Sequence, residues 1–267
     1  MGEHGEINTA RIIHGRPWKD AIISILDPRS PYRPWSGVER AEPGDALVMV
    51  LDTDPVSVLA AVGIVGADGE GEAAIAGIHP FYVNGLLELG TLNMLADFEV
   101  RPDRDTVYHH ESPQKVVDVL GDYNPSSIDA LFGHTSLAAG RVLLASRGQC
   151  AGCGRRLDLV AEDARDDVHI HTADRCAEDG PKWVPPDWPA ALCDSCHTRM
   201  QHEGFTSFLD FRFSTHPRCP DCGAQHTMSA MYGMPAGPVE EPWIATMGCV
   251  ITEPRTRWVC GDCRRKW

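Results

Sequence analysis

The sequence predicts an α+β protein: a β-rich N-terminal domain, a helical connector and two zinc-held modules. Three observations carry this. All ten cysteines lie after residue 149, and eight of them form four Cys-x-x-Cys pairs, at 150/153, 193/196, 219/222 and 260/263. Well ahead of them, residues 46–51 and 56–65 are runs of Val, Leu, Ile and Ala with Asp-Pro and Gly turn signals between and after them. In the intervening stretch, cap-then-Pro starts and Gly stops mark helices.

The first 148 residues contain no cysteine, so they must fold on a hydrophobic core alone. They open with segments rich in Pro and aromatics, RPWKD (16–20) and DPRSPYRPWSG (27–37), read as loops. The runs at 46–51 and 56–65 follow as strands, closed by turns at Gly66, Gly69 and Gly71. His109-His110 with Asp103 and Asp105 is a polar cluster, read as a solvated loop. Ser112-Pro113 opens a helical segment that stops at Gly121, Asn124-Pro125 opens a second, and Thr135–Arg147 has helical apolar spacing leading into Cys150. The expected domains are 1–110, 111–148 (helical connector), 149–210 and 211–267.

Composition narrows the function classes. The 267 residues are 43% hydrophobic, with no apolar run of membrane-spanning length. The opening segment lacks the basic, apolar, small-residue order of a secretory signal, and a cytoplasmic location is expected. The formal charge is −14, with 11 basic against 21 acidic residues before 149 and 13 against 17 from there on. A protein that grips nucleic acid by net charge alone is therefore excluded. Contact with phosphates must come from local patches such as Arg155–Arg156, Arg255, Arg257 and Arg264–Lys266.

In a reducing compartment, repeated Cys-x-x-Cys pairs point to zinc. Two residues between thiolates let both sulfurs face one ion, and two such pairs close a tetrahedral, structural site. CAGCG (150–154) echoes CPDCG (219–223), and LCDSCH (192–197) echoes VCGDCR (259–264). The gaps match, at 39 and 37 residues. Two structural Zn2+ ions are expected, held by Cys150, Cys153, Cys193 and Cys196 and by Cys219, Cys222, Cys260 and Cys263. Pairing of 150/153 with 219/222 stays open at this level. Cys176 and Cys249 have no assigned role.

Histidines cluster around the second pair: His169 and His171 in DVHIHTAD (167–174), then His197 and His202 in CHTRMQH. With RVLLASRGQCAGCGRR (141–156) ahead of them, these segments resemble the HNH, or ββα-metal, endonucleases over residues 141–203. The resemblance implies that 149–210 is an HNH nuclease module and 211–267 a C-terminal zinc ribbon. It implies a general base on the hairpin, and a catalytic divalent ion (Mg2+, Mn2+, Ni2+ or Zn2+) held by imidazoles from hairpin and helix. His169 is favoured as ligand and His171 as base, with the reverse open. His197 matches the helix ligand, and His202 is a further candidate. Asp167 or Asp174 could supply a carboxylate. The chain departs from the family in three places: Ile170 separates the hairpin histidines, Gln201 stands four residues after His197, and Asp187-Trp188 lies where the family carries Asn.

The stretch PGDALVMVLDTDPVSVLAAVGIVG (43–66) resembles the core of PUA-superfamily barrels of the EVE and SRA-like kind, with a Gly-Asp turn opening a strand. That resemblance implies a reader of modified bases, with Trp18, Tyr32 and Trp35 as candidate stacking residues. The expected function is a metal-dependent DNA endonuclease, of the modification-dependent restriction type, and a homodimer would suit double-strand cutting. The alternative is a non-catalytic zinc adaptor on a degenerate HNH scaffold. RNA as substrate is not separated from DNA.

Overall fold

The computed structural model describes residues 9–66, 75, 78, 83, 85–102, 107–109, 111–123, 128–175, 187–235, 239–249 and 255–267. Gly69, Gly71, Asp103, Asp105, His110, Asn124-Pro125 and Cys176 lie outside the described residues. The chain divides into two compact units, Met1–Thr172 with Ala190–Asp194, and Ala173–Pro189 with Ser195–Trp267. The divisions between them fall inside the expected 149–210 module.

The first unit is built on a mixed sheet. Strand β1 (Thr9–Gly15) pairs in parallel with β3 (Ala46–Leu51), from Ala10↔Ala46 to Gly15↔Leu51. The expected strand at 46–51 is β3, and Gly44-Asp45 is the turn that opens it, with Gly44 at φ 91. Asp45 is buried and accepts from Arg11 Nε and the Glu42 amide, both at 2.9 Å. On the far side of β3, β4 (Ser57–Leu59) and β5 (Gly63–Ile64) pair antiparallel to it, so the 56–65 run is two short strands separated by a turn. The sheet continues to β6 (Leu86–Glu88), while β2 (Trp35–Ser36) and β7 (Val107–His109) line the other edge of β1. Among the described residues no pairing joins β6 to β2 or β7, so a closed barrel is not shown.

All six side chains of β3 are buried, as befits a central strand covered on both faces. On one face Ala10, Ile12, Val48, Val50 and Leu87 pack with Leu89 and Leu92 of α2 (Leu89–Ala96) and Val116 and Leu120 of α3 (Glu111–Asp122). On the other lie α1 (Trp18–Leu26) and α4 (Ser136–Ala145). Gly140 of α4 makes this close: a Cβ there would sit 2.9 Å from Leu86 Cδ1 and 3.1 Å from Ile22 Cδ1. Helix α1 corrects the loop reading of RPWKD. Five of its apolar residues are buried, so it lacks the polar stripe that would signal a surface helix. Helices α3 and α4 agree with the cap and stop signals, and Thr135 caps α4 by accepting from the Ala138 amide at 3.2 Å.

After α4 come a Cys-x-x-Cys turn, the short helix α5 (Ala164–Asp167), and strands β8 (Val168–His171) and β9 (Ala190–Cys193). The two strands pair antiparallel from Val168↔Cys193 to His171↔Ala190. Arg165 straps α5 to α1: its guanidinium pairs with the buried Asp20, and Lys19 Nζ donates to its carbonyl. Tyr32 OH accepts from the Arg165 amide at 2.8 Å and donates to Glu162 O at 2.9 Å. Helix α6 (Asp194–His202) runs directly on from β9, giving a ββα order.

The second unit centres on aromatic packing. Phe208 and Phe211 of α7 (Phe208–Ser214) are fully buried, and Trp243 meets Phe208 and Trp188 edge-on at 5.5 and 5.9 Å. Asp187 anchors this helix: its Oδ1 accepts from Ser207 Oγ (3.1 Å) and from the amides of Trp188 (2.7 Å), Phe208 (2.8 Å) and Leu209 (3.4 Å). A three-stranded sheet follows, in the order β11 (Ile244–Thr246), β10 (Thr227–Met231), β12 (Trp258–Cys260). No described helix is long and apolar enough to cross a membrane.

Candidate metal centres and the histidine strand

Three of the four Cys-x-x-Cys pairs form the same tight turn. The amide of Cys150 donates to Arg155 O at 2.8 Å and that of Gly154 to Cys150 O at 2.8 Å. The turns at Cys219 and Cys260 repeat both bonds, to Ala224 and Arg265 in the first case. Each turn closes on a residue in the left-handed region: Gly154 (φ 72), Gly223 (φ 74) and Arg264 (φ 62). The fourth pair differs. Cys193 ends β9 and Cys196 lies in the first turn of α6.

These turns gather the sulfurs into two sets, Cys150, Cys153, Cys193 and Cys196, and Cys219, Cys222, Cys260 and Cys263, with all ligand atoms of a set within 4.8 Å of one another. The 150/153 pair therefore closes with 193/196. A zinc–sulfur bond of about 2.3 Å sets tetrahedral sulfur–sulfur separations of about 3.8 Å. The observed separations are 3.9 Å for Cys153–Cys193, 3.5 Å for Cys219–Cys263 and 3.7 Å for Cys222–Cys260, far beyond a disulfide bond. Cys249 is exposed and outside both sets.

The thiol chemistry of the second set calls for a cation. At Cys219 burial works against ionisation, but the amides of Cys222 and Asp221 and the neighbouring thiols outweigh it and bring the group down to about 7. At Cys263 the Arg265 amide favours the thiolate, yet burial and the thiols of Cys222, Cys219 and Cys260 push it up to about 12. One sulfur ionises readily and the next resists, as expected for like charges sharing a site. A divalent ion removes that resistance. In the first set, burial pushes Cys150 up as well. The donor sets fit two structural zinc ions.

The expected catalytic residues fall on two elements. His169 and His171 sit two apart on β8, on one face of the strand, and both are half-buried. His169 Nε2 donates to Asp194 Oδ1 at 3.1 Å. His197 and His202 lie on α6, where the Gln201 amide, four residues on, donates to His197 Nε2 at 3.1 Å. Five residues of α-helix turn through about 140° net, so His202 does not share a face with His197. Among the described residues, no set of three or more His, Cys, Asp or Glu ligand atoms within 4.8 Å exists beyond the two cysteine sets, and neither Asp167 nor Asp174 joins the histidines in one.

The candidate base-stacking aromatics are engaged in packing. Trp35 Nε1 donates to Ser24 Oγ at 3.0 Å, and its ring lies where a Cβ on Gly15 would approach to 2.8 Å. Trp18 lines the close approach at Gly140, and Tyr32 carries the Arg165 guanidinium 5.6 Å from its ring centroid.

Three residues to which sequence reasoning gave no role matter here. Asp194, hidden inside a zinc pair, holds His169. Asp187, noted only as a departure from Asn, anchors α7. His134 Nδ1 shares a 2.7 Å hydrogen bond with Thr172 Oγ1, next to His171, across 38 residues of sequence. Only the position of Asp194, an acid at a helix start, was a signal in the sequence. Comparison of the chain with protein-family models, with curated proteins and with solved structures found no match.

Proposed function

We propose that the protein is a metal-dependent endonuclease of the HNH kind, hydrolysing DNA phosphodiester bonds in the cytoplasm. The observation that carries this is the order β8–β9–α6 closed by four thiolates, with His169 and His171 on one strand face and His197 directly after Cys196. His171 serves as general base and takes a proton from the attacking water, a task suited to imidazole near neutral pH. His169 and His197 are the groups that would hold the divalent ion. Asp194 supports that role for His169, because a ligating imidazole commonly gives its other ring N–H to a carboxylate. When bound, such an ion stabilises the charge developing on the phosphate and the leaving oxygen. The cysteine-bound zinc does no chemistry; it fixes strand to helix. Reading of a modified base by the first unit would draw on Trp18, Tyr32 and Trp35, each of which is half-buried rather than sealed in the core.

Cleavage of supercoiled plasmid, modified and unmodified, in Mg2+, Mn2+, Co2+ or Ni2+ tests the proposal. Wild type nicks or linearises it, and His171→Ala and His197→Ala abolish cutting while each chain retains two zinc ions. A second reading, a zinc-held adaptor without catalysis, is favoured by one observation: among the described residues only cysteines form sets of metal-binding density. A wild type that cuts neither plasmid nor RNA in any of the four metals favours that reading.

A further inference from the structure

We infer that the second zinc centre carries a surface for a nucleic-acid backbone, formed by Arg255, Arg257, Arg264, Arg265 and Lys266 on the two arms of the Cys260–Cys263 turn. The class of ligand rests on the endonuclease reading; the surface is what that reading lacks, because the chain as a whole repels phosphates. In a protein of net charge −14, residues 255–267 hold these five cations against one carboxylate, Asp262.

The cations are not on a loose tail. Trp258 and Trp267 exchange amide-to-carbonyl bonds at 2.9 and 3.1 Å, the Arg257 amide also donates to Trp267 O at 2.7 Å, and Cys260 donates to Arg265 O at 2.8 Å. Val259 pairs with Lys266 across the same two arms. All five basic side chains are exposed. Arg255 lies over the Tyr232 ring at 5.0 Å, and Arg265 meets Asp221 at 3.5 Å. Among the described residues Arg257, Arg264 and Lys266 have no carboxylate partner within 4.0 Å.

Arg264 adds an independent sign. It holds a left-handed conformation at φ 62, in the position that Gly154 and Gly223 fill in the two sister turns. Glycine adopts this conformation without the steric penalty that a side chain meets there. Where the sister turns use glycine, this turn thus keeps a further exposed cation beside Arg265 and Lys266. Exposed cations spread along two rigid arms suit phosphates repeated along a strand, where each ammonium or guanidinium displaces condensed counterions.

The test is fluorescence anisotropy of a 20-bp DNA duplex, titrated with full-length His171→Ala protein across a range of KCl concentrations without added divalent ion. Each phosphate contact contributes about 0.9 to the slope of log K against log salt. The combined variant Arg257→Gln, Arg264→Gln, Lys266→Gln should lower that slope by about 2.7 and weaken binding on the order of a hundredfold at 0.15 M salt. Removing three exposed cations of the first unit, by Arg40→Gln, Arg101→Gln and Lys115→Gln, should leave the slope unchanged. Zinc content of two per chain certifies folding; should the triple variant lose zinc, Lys266→Gln alone should lower the slope by about 0.9. An unchanged slope in a zinc-replete patch variant, an equal fall in the first-unit variant, or no binding by the starting protein overturns the inference. Patch-dependent binding together with a wild type that cuts nothing leaves the surface standing and removes the nuclease reading.

Discussion

Replacing Cys219 by alanine removes one thiolate from a set whose sulfurs, at 3.5 and 3.7 Å for two of the pairs, lie close to the spacing of a tetrahedral site. Cys219 is buried, so neither water nor a neighbouring side chain readily takes its place. Structural zinc contributes about 10–16 kcal/mol to the folding of small modules near neutral pH. The second unit has about 90 residues, and net stabilities run at about 0.05–0.15 kcal/mol per residue, or roughly 5–13 kcal/mol for a unit of that size. Losing most of the metal term therefore exceeds the whole net stability of the unit. Cys219→Ala should hold one zinc per chain by elemental analysis, and amide hydrogen exchange should show β10 and β12 unprotected while β1 and β3 stay protected. A variant that keeps two zinc ions and full protection of β10 and β12 would show that the second set is not a metal-dependent clamp.

Two other outcomes follow from the same unit. Asp187→Ala strips the acceptor from the first amides of α7 and should cost about 2 kcal/mol, lowering the melting temperature by roughly 10 °C, whereas Asp187→Asn keeps an oxygen there and recovers most of the loss in a thermal scan. Burial pushes the His216 imidazole below its ordinary value, despite its Nδ1–H bond to Thr227 O at 2.5 Å. The folded chain thus holds His216 neutral where the unfolded chain would protonate it, and its contribution is full above the ordinary histidine range and is lost as pH falls through it. Denaturant unfolding at pH 7.5 and 5.5, with zinc content followed at each pH, should show a smaller acid loss in His216→Gln than in wild type.

What could be read ahead of the structure divides along a physical line. The cysteine pairs were legible because ligand spacing is local, and the two sets close as their spacing suggested. Strand β3 and helices α3 and α4 were legible because Gly, Pro and Thr mark their ends. Helix α1 was not, since a segment buried on nearly every side shows no periodicity. The pairing of β1 with β3 was equally hidden, because parallel register is fixed by packing that no short motif encodes. At the candidate site, His169, His171 and His197 stood out by residue type, and Gln201 lay one helical turn from His197, but the long-range partners did not stand out. Asp194 touches His169 across a strand pairing, His134 reaches Thr172 from the start of α4, and such contacts exist only once the chain has folded.

The strap from Arg165 to Asp20 and Tyr32 bears on how this chain can be dissected. A fragment beginning at the first cysteine turn would look self-contained, with its clamp and its histidines complete. It would nonetheless leave behind the carboxylate that neutralises Arg165 and the phenol that ties down the backbone three residues before β8. The stretch bearing His169 and His171 is thus no portable cassette, and its shape is underwritten by a helix laid down near the beginning of the chain.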